Sequence, residues 1–161
     1  MNWSSVHIGS NVITGPATPH TVFTAGGSRL FSTRLRDDGQ LLLSADLYVQ
    51  RGRHVGTFTD HKWRTAHSAA LLVAPKRVAV RYHETVLLSV WHRDNELIVT
   101  ALDLETRDGK RCELDSYGRF ALSTPGAQLP ERQSNLAINT NLNHIDLATL
   151  ATTNQSTAHS Q

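Results

Sequence analysis

Cysteine is nearly absent: Cys112 stands alone among 161 residues, so no internal disulfide can form. That excludes the stapled scaffolds by which small secreted domains compensate for thin cores. Cys112 lies in a strand pattern with no activating His or motif beside it, and reads as a small buried residue. Charge is thin as well. Asp, Glu, Lys and Arg make up 19% of the chain, against about 25% in an average domain, so Ser, Thr, Asn, Gln and His must cover much of the surface. Aromatics supply only 6%, which leaves Leu, Val and Ala to fill most of the core.

Long hydrophobic runs are missing too. The longest, such as Ala69-Ala70-Leu71-Leu72-Val73-Ala74, falls far short of the roughly 20 residues that a membrane helix needs. Met1-Asn2-Trp3-Ser4-Ser5 has neither the basic nor the apolar region of a signal peptide. A cytoplasmic protein with no membrane partner is expected, and a viral or phage particle protein would carry the same features.

Recognisable chemistry is the last absence. There is no HxH, HExxH or Cys-His spacing for a metal, and no G-x-S-x-G for a nucleophile. Ala25-Gly26-Gly27-Ser28 lacks the spacing and following helix of a phosphate loop and reads as a hairpin turn. No cofactor is expected.

Sixteen Lys and Arg oppose fourteen Asp and Glu, a formal net charge of +2 with a pI of about 9.0. Thirteen of the cations are Arg, suited to bidentate contacts with carboxylate or phosphate. They are scattered from Arg29 to Arg132 among acids, where a nucleic-acid binder would gather them on one patch.

What the chain does contain is the grammar of an antiparallel β-fold. Runs at 29–36, 40–49, 55–59, 67–73, 77–82, 86–92, 96–104 and 110–114 are separated by Asp37-Asp38-Gly39, Arg51-Gly52-Arg53, Pro75-Lys76, Arg93-Asp94-Asn95 and Arg107-Asp108-Gly109. Connections this short make neighbouring strands antiparallel. The expected architecture is all-β: an antiparallel meander forming a small β-sandwich or partly open barrel over residues 1–122. Residues 6–13 read as one strand with a Gly-Ser-Asn bend, and 15–19 as a loop.

A pseudo-twofold repeat of three-stranded units is expected at 29–60 and 86–115. Phe31-Ser32 aligns with Leu87-Leu88 at an offset of 56 residues (87 less 31), and one inserted residue later Asp46-Leu47 meets Asp103-Leu104. The low-charge segment 123–161 has apolar anchors at Leu136, Ile138, Leu142, Ile145, Leu147 and Leu150. It admits a short helix near 144–151, capped by Asn143, or a strand near 135–140, with a disordered tail from about residue 152.

Candidate sites are few. Trp63 sits between Lys62 and Arg64 in a polar segment, and a Trp beside Arg is the composition of an interface anchor. It would equally plug the open end of a sandwich. Trp3 would dock on the domain itself or on a neighbouring subunit. Among the nine histidines, His61 and His67 with Asp60 are the set that a loop would most readily converge on a metal.

The leading reading is a non-enzymatic binding or assembly module, acting through a protein partner or self-association. Three features favour it: no catalytic constellation, an apolar but uncharged C-terminal segment, and the edge strands that a meander leaves open. A hydrolase with a His/Asp site in loops, with or without a metal, is the alternative. Nucleic-acid binding through Arg34, Arg36, Arg51, Arg53 and Arg81 ranks third, because no exposed aromatics accompany them. The residues are silent on any small-molecule ligand.

Overall fold

A computed structural model describes residues 2–123, 137–139 and 141–150, and these residues are almost all β. Fifteen strands are present: β1 Trp3–Ile8, β2 Asn11–Thr18, β3 His20–Ala25, β4 Ser28–Leu35, β5 Leu41–Val49, β6 Arg53–Thr59, β7 Lys62–Ala66, β8 Ala69–Ala74, β9 Arg77–Tyr82, β10 Thr85–Arg93, β11 Glu96–Glu105, β12 Arg111–Leu114, β13 Phe120–Ser123, β14 Ala137–Asn139 and β15 His144–Asp146. The ladders group into two sheets. The first runs β14-β2-β1-β11-β10-β9-β8. The second runs β15-β3-β4-β5-β6-β7. The last residues of β11 join the second sheet through the bridge Tyr48↔Glu105 and carry β12 and β13 with them. The sheet does not close into a barrel.

Every ladder between β4 and β12 is antiparallel, as turns of this length require. The turns explain themselves chemically. At 36–40, Gly39 adopts φ 83° and donates to Arg36 O, while Gln40 N donates to Asp38 Oδ1. The same backbone closure recurs at 106–110 and 115–119. The turn at Arg51-Gly52 is held from a distance: the buried Glu105 carboxylate accepts from both backbone amides, at 3.1 and 2.9 Å.

Three parallel ladders depart from expectation: β1 with β11, β2 with β14 and β3 with β15. Each joins a terminal segment to the sheet. A terminal segment is not tied to its neighbour by a short turn, so the rule for meanders does not govern it. Residues 6–13 form a hairpin and not one bent strand, because Gly9 takes φ 61° at the corner. Gly9 is also obligatory by contact, since a Cβ there would lie 1.8 Å from Gly118 O. The loop expected at 15–19 continues β2 through Thr18, and β3, β7 and β13 are strands that the sequence did not announce.

The register of the two halves corresponds closely. β3 and β9 have equal length and begin 57 residues apart (77 less 20). Phe23↔Phe31 and Phe31↔Ala45 have counterparts in Val80↔Leu88 and Leu88↔Leu102 at that spacing. Both halves also carry a bulge at the same place, with Leu30 and Leu87 as the extra residues. The ladders therefore set Phe31 against Leu88, one residue beyond the alignment read from sequence. The connection at 36–40 is longer than the one at Asp94-Asn95, and sequence alignment through turns misplaces such differences.

One buried cluster joins both sheets, with Trp3, Val6, Ile8, Phe23, Phe31, Leu43, Phe58, Leu88, Val99 and Phe120 among its members. Leu142, Ile145, Leu147 and Leu150 belong to the same cluster. The described C-terminal residues therefore contribute β15 and a single helical turn at 147–150 to the common core. The expected strand near 135–140 is present as β14, and residues 124–136 and 151–161 lie outside the described residues.

Candidate functional site

Trp3 is wholly buried, its indole N–H donating to Thr21 Oγ1 at 2.9 Å and its ring edge-on to His92. It docks on its own domain and offers nothing to a neighbouring subunit. Trp63 is half-buried: it packs edge-on against Phe58 with ring centroids 4.8 Å apart, and covers the backbone of Gly56. A Cβ on Gly56 would meet Trp63 at 2.5 Å, so this glycine exists to seat the indole. Trp63 closes the end of the core. Arg64 is exposed on β7.

Asp60 and His61 occupy the two-residue β6–β7 turn, with φ of 48° and 70°. That conformation is the one a type I′ hairpin requires, and Asp tolerates it better than most residues. Their side chains are turned to local work. Asp60 accepts from Arg34 at 2.8 Å, and Asp60 N donates to Ser44 Oγ. His61 Nε2 lies 3.0 Å from Leu41 O. His67 packs against the His54 ring instead, so the sequence-picked trio does not converge. Among the described residues no three His, Cys, Asp or Glu groups assemble for a metal ion.

A different cluster lies on the outer face of the β5–β6 hairpin. Asp46 Oδ1 accepts from Thr57 Oγ1 at 2.7 Å, and His54 Nε2 sits 2.9 Å from the same oxygen and 3.0 Å from the hydroxyl. These are the residue types of a nucleophile, a base and an orienting acid, but their wiring differs from a catalytic relay. A base must take the hydroxyl proton on one ring nitrogen and be held through the other. Here one nitrogen faces both partners, and the hydroxyl proton already goes to the carboxylate. The register Asp46↔Thr57, Tyr48↔His54 creates the cluster, and a predicted turn at 51–53 would have located it.

Two surface grooves remain. The first encloses about 540 Å³ on the second sheet, lined by Ser28, Arg29, Ser44, Asp46, Thr57, Thr59 and Arg107 among others. The second encloses about 560 Å³ on the first sheet. Its floor is Ala79, Ser89 and Ala101, and its walls are Leu72, Val73 and Val86. Val86 and Ala101 stand where Arg29 and Ser44 stand 57 residues earlier (86 less 29), so the two grooves share scaffold positions and differ in chemistry. In both halves the bulge sets the outward aim of the residue before it, Arg29 or Val86.

The apolar groove is continuous with the edge strand β8, which among the described residues pairs only with β9. Leu72 lies across from Ala79 on the outer face and is 47% exposed. Val73 lies across from the core residue Val78 and is 48% exposed. β8 thus presents apolar side chains on both faces with no charged residue between 69 and 74. The sequence contained this signal in the run Ala69–Ala74, which is too short for a membrane but right for a strand buried on two sides. Comparisons with family models, with curated proteins and with solved structures find no match to this chain.

Proposed function

We propose that the chain is a non-enzymatic assembly module whose partner is a second copy of itself, added strand to strand at β8. One observation carries this reading: an uncharged edge strand, half-exposed on both faces, beside an apolar groove. An open edge offers a row of backbone donors and acceptors, and natural proteins normally guard it with charge or a bulge. β7, at the end of the second sheet, is guarded in this way by Lys62 and Arg64. β8 is not.

Self-pairing suits this strand because it sets no like charges opposite one another. An antiparallel pairing centred on Leu72 would set Leu71 against the partner's Val73 and Ala70 against the partner's Ala74. Both faces of β8 would then be covered, and the sheet would continue across a two-fold axis. The correspondence of ladders between 20–66 and 77–123 supports reading the module as two copies of one unit, of which one carries the open edge.

The hydrolase reading draws on the Asp46–His54–Thr57 cluster, but the shared ring nitrogen counts against it. For nucleic acid, Arg34 and Arg36 are engaged by Asp60 and Asp38, and Arg53 by Tyr82. No helix among the described residues is long and apolar enough to cross a membrane.

Sedimentation equilibrium tests the proposal. The full chain should weigh as a dimer at micromolar concentration, and Leu72→Lys with Val73→Lys should leave a folded monomer by circular dichroism. A wild-type monomer at every concentration, or a dimer indifferent to both substitutions, would refute it.

A further inference from the structure

We infer that the polar groove on the second sheet binds a small polyhydroxylated anion, a saccharide bearing a carboxylate or a phosphate. This rests on the lining of that groove alone and is independent of how β8 is used.

Three charged side chains line it: Arg29, Arg107 and Asp46, a net charge of +1. Neither guanidinium has an acid partner within ion-pair distance among the described residues, whereas Arg34, Arg93, Arg111 and Arg119 each have one. Arg29 is instead oriented by a neutral group, its Nη2 donating to Ser32 Oγ at 2.8 Å. That bond leaves its charge uncompensated while restricting its position. Arg107 arrives from the β11–β12 turn, which is fixed beside the β3–β4 turn by Ser28 Oγ donating to Asp108 Oδ1 at 3.1 Å. Two cations from distant parts of the chain thus converge on one groove. Planar guanidinium forks are the groups best matched to carboxylate and phosphate oxygens.

The remaining lining decides what the anion carries. Ser28, Ser44, Thr57 and Thr59 contribute hydroxyls, which donate and accept, as polyols require. Asp46 Oδ1 is already committed to Thr57 and faces His54, which moderates its repulsion of an anion. The only aromatic in the lining, Phe58, is buried in the core. Without an exposed ring there is no platform for a nucleobase or for the apolar face of a neutral sugar. Recognition must therefore come from charge and hydrogen bonds. A volume of about 540 Å³ lies within the range of small-ligand sites, about 300–1,000 Å³.

The test is ligand-observed NMR and calorimetry on the full chain with glucuronate, glucose 6-phosphate, glucose and a short single-stranded oligonucleotide as probes. Either anionic sugar should bind at millimolar concentration, with the two arms distinguishing carboxylate from phosphate. Arg29→Ala and Arg107→Ala should each weaken it about tenfold, the value of one lost charge-assisted contact. Leu72→Lys should leave it unchanged. Equal binding of glucose, tighter binding of the oligonucleotide through the same arginines, or no binding by either anion would overturn the assignment.

Discussion

The two open edges of this molecule have opposite characters. β7 ends the second sheet with Lys62 and Arg64 exposed, and Trp63 folded back over Gly56. β8 ends a branch of the first sheet, a few residues further along the chain, with no charge at all and with Leu72 and Val73 turned to solvent. The grooves beside them differ in the same sense, Arg29 and Ser44 against Val86 and Ala101. Strand positions that correspond in register thus serve different chemistry, because outward-facing residues contribute little to the core and are free to vary. The inward residues at the same register, Phe31 and Leu88, are both buried and apolar.

The comparison presumes one shared core, and the largest expected effect tests that. Trp3→Ala removes a fully buried indole that touches both halves through Thr21 and His92, and should cost about 3–5 kcal/mol by denaturant titration. A single transition that shifts as a unit would support the shared core; loss of one half with the other intact would break it. Glu105→Ala comes next. It strips the β5–β6 turn of both acceptors, and a loss of about 1–3 kcal/mol is expected from chemical denaturation.

A smaller effect depends on pH. Burial pushes the His92 imidazole below its ordinary value, with Lys76 adding to the shift. The unfolded chain therefore binds the extra proton first, at about pH 6.5. The stability from neutral His92 is full above that pH and declines as the pH falls below it toward the depressed folded value. Melting temperature against pH should slope downward through this window, and His92→Gln should flatten it. The smallest effect belongs to the guarded edge: Arg64→Ala should change stability by less than about 0.5 kcal/mol and leave the mass in solution unaltered. Should Arg64 matter more to association than Leu72, the two edges have been assigned the wrong way round.

The all-β class and most strands from β4 to β12 were legible in the sequence, because turn residues and apolar runs mark hairpins locally. Arg77–Tyr82 was read to the residue. The parallel ladders of β1, β14 and β15 were not, since they depend on contacts between ends of the chain that no local pattern records. β7 escaped because Lys62-Trp63-Arg64-Thr65 has the polarity of a loop, and only Gly56 across the ladder explains Trp63. The site was less legible than the fold. Asp60 and His61 drew notice as potential ligands, but the I′ turn consumes both. Arg29 and Arg107, 78 residues apart (107 less 29), meet only through the docking of two turns. Leu72 and Val73 were visible as an apolar run; that it lies on an edge is a property of the topology.

Hydrogen exchange on the β8 amides tests the central claim most directly. The account predicts that amides at 69–74 gain protection as protein concentration rises, while those of β7 stay constant, and that Leu72→Lys with Val73→Lys abolishes the gain. Exchange at β8 that is fast and independent of concentration, or protection that grows at another edge, would contradict it.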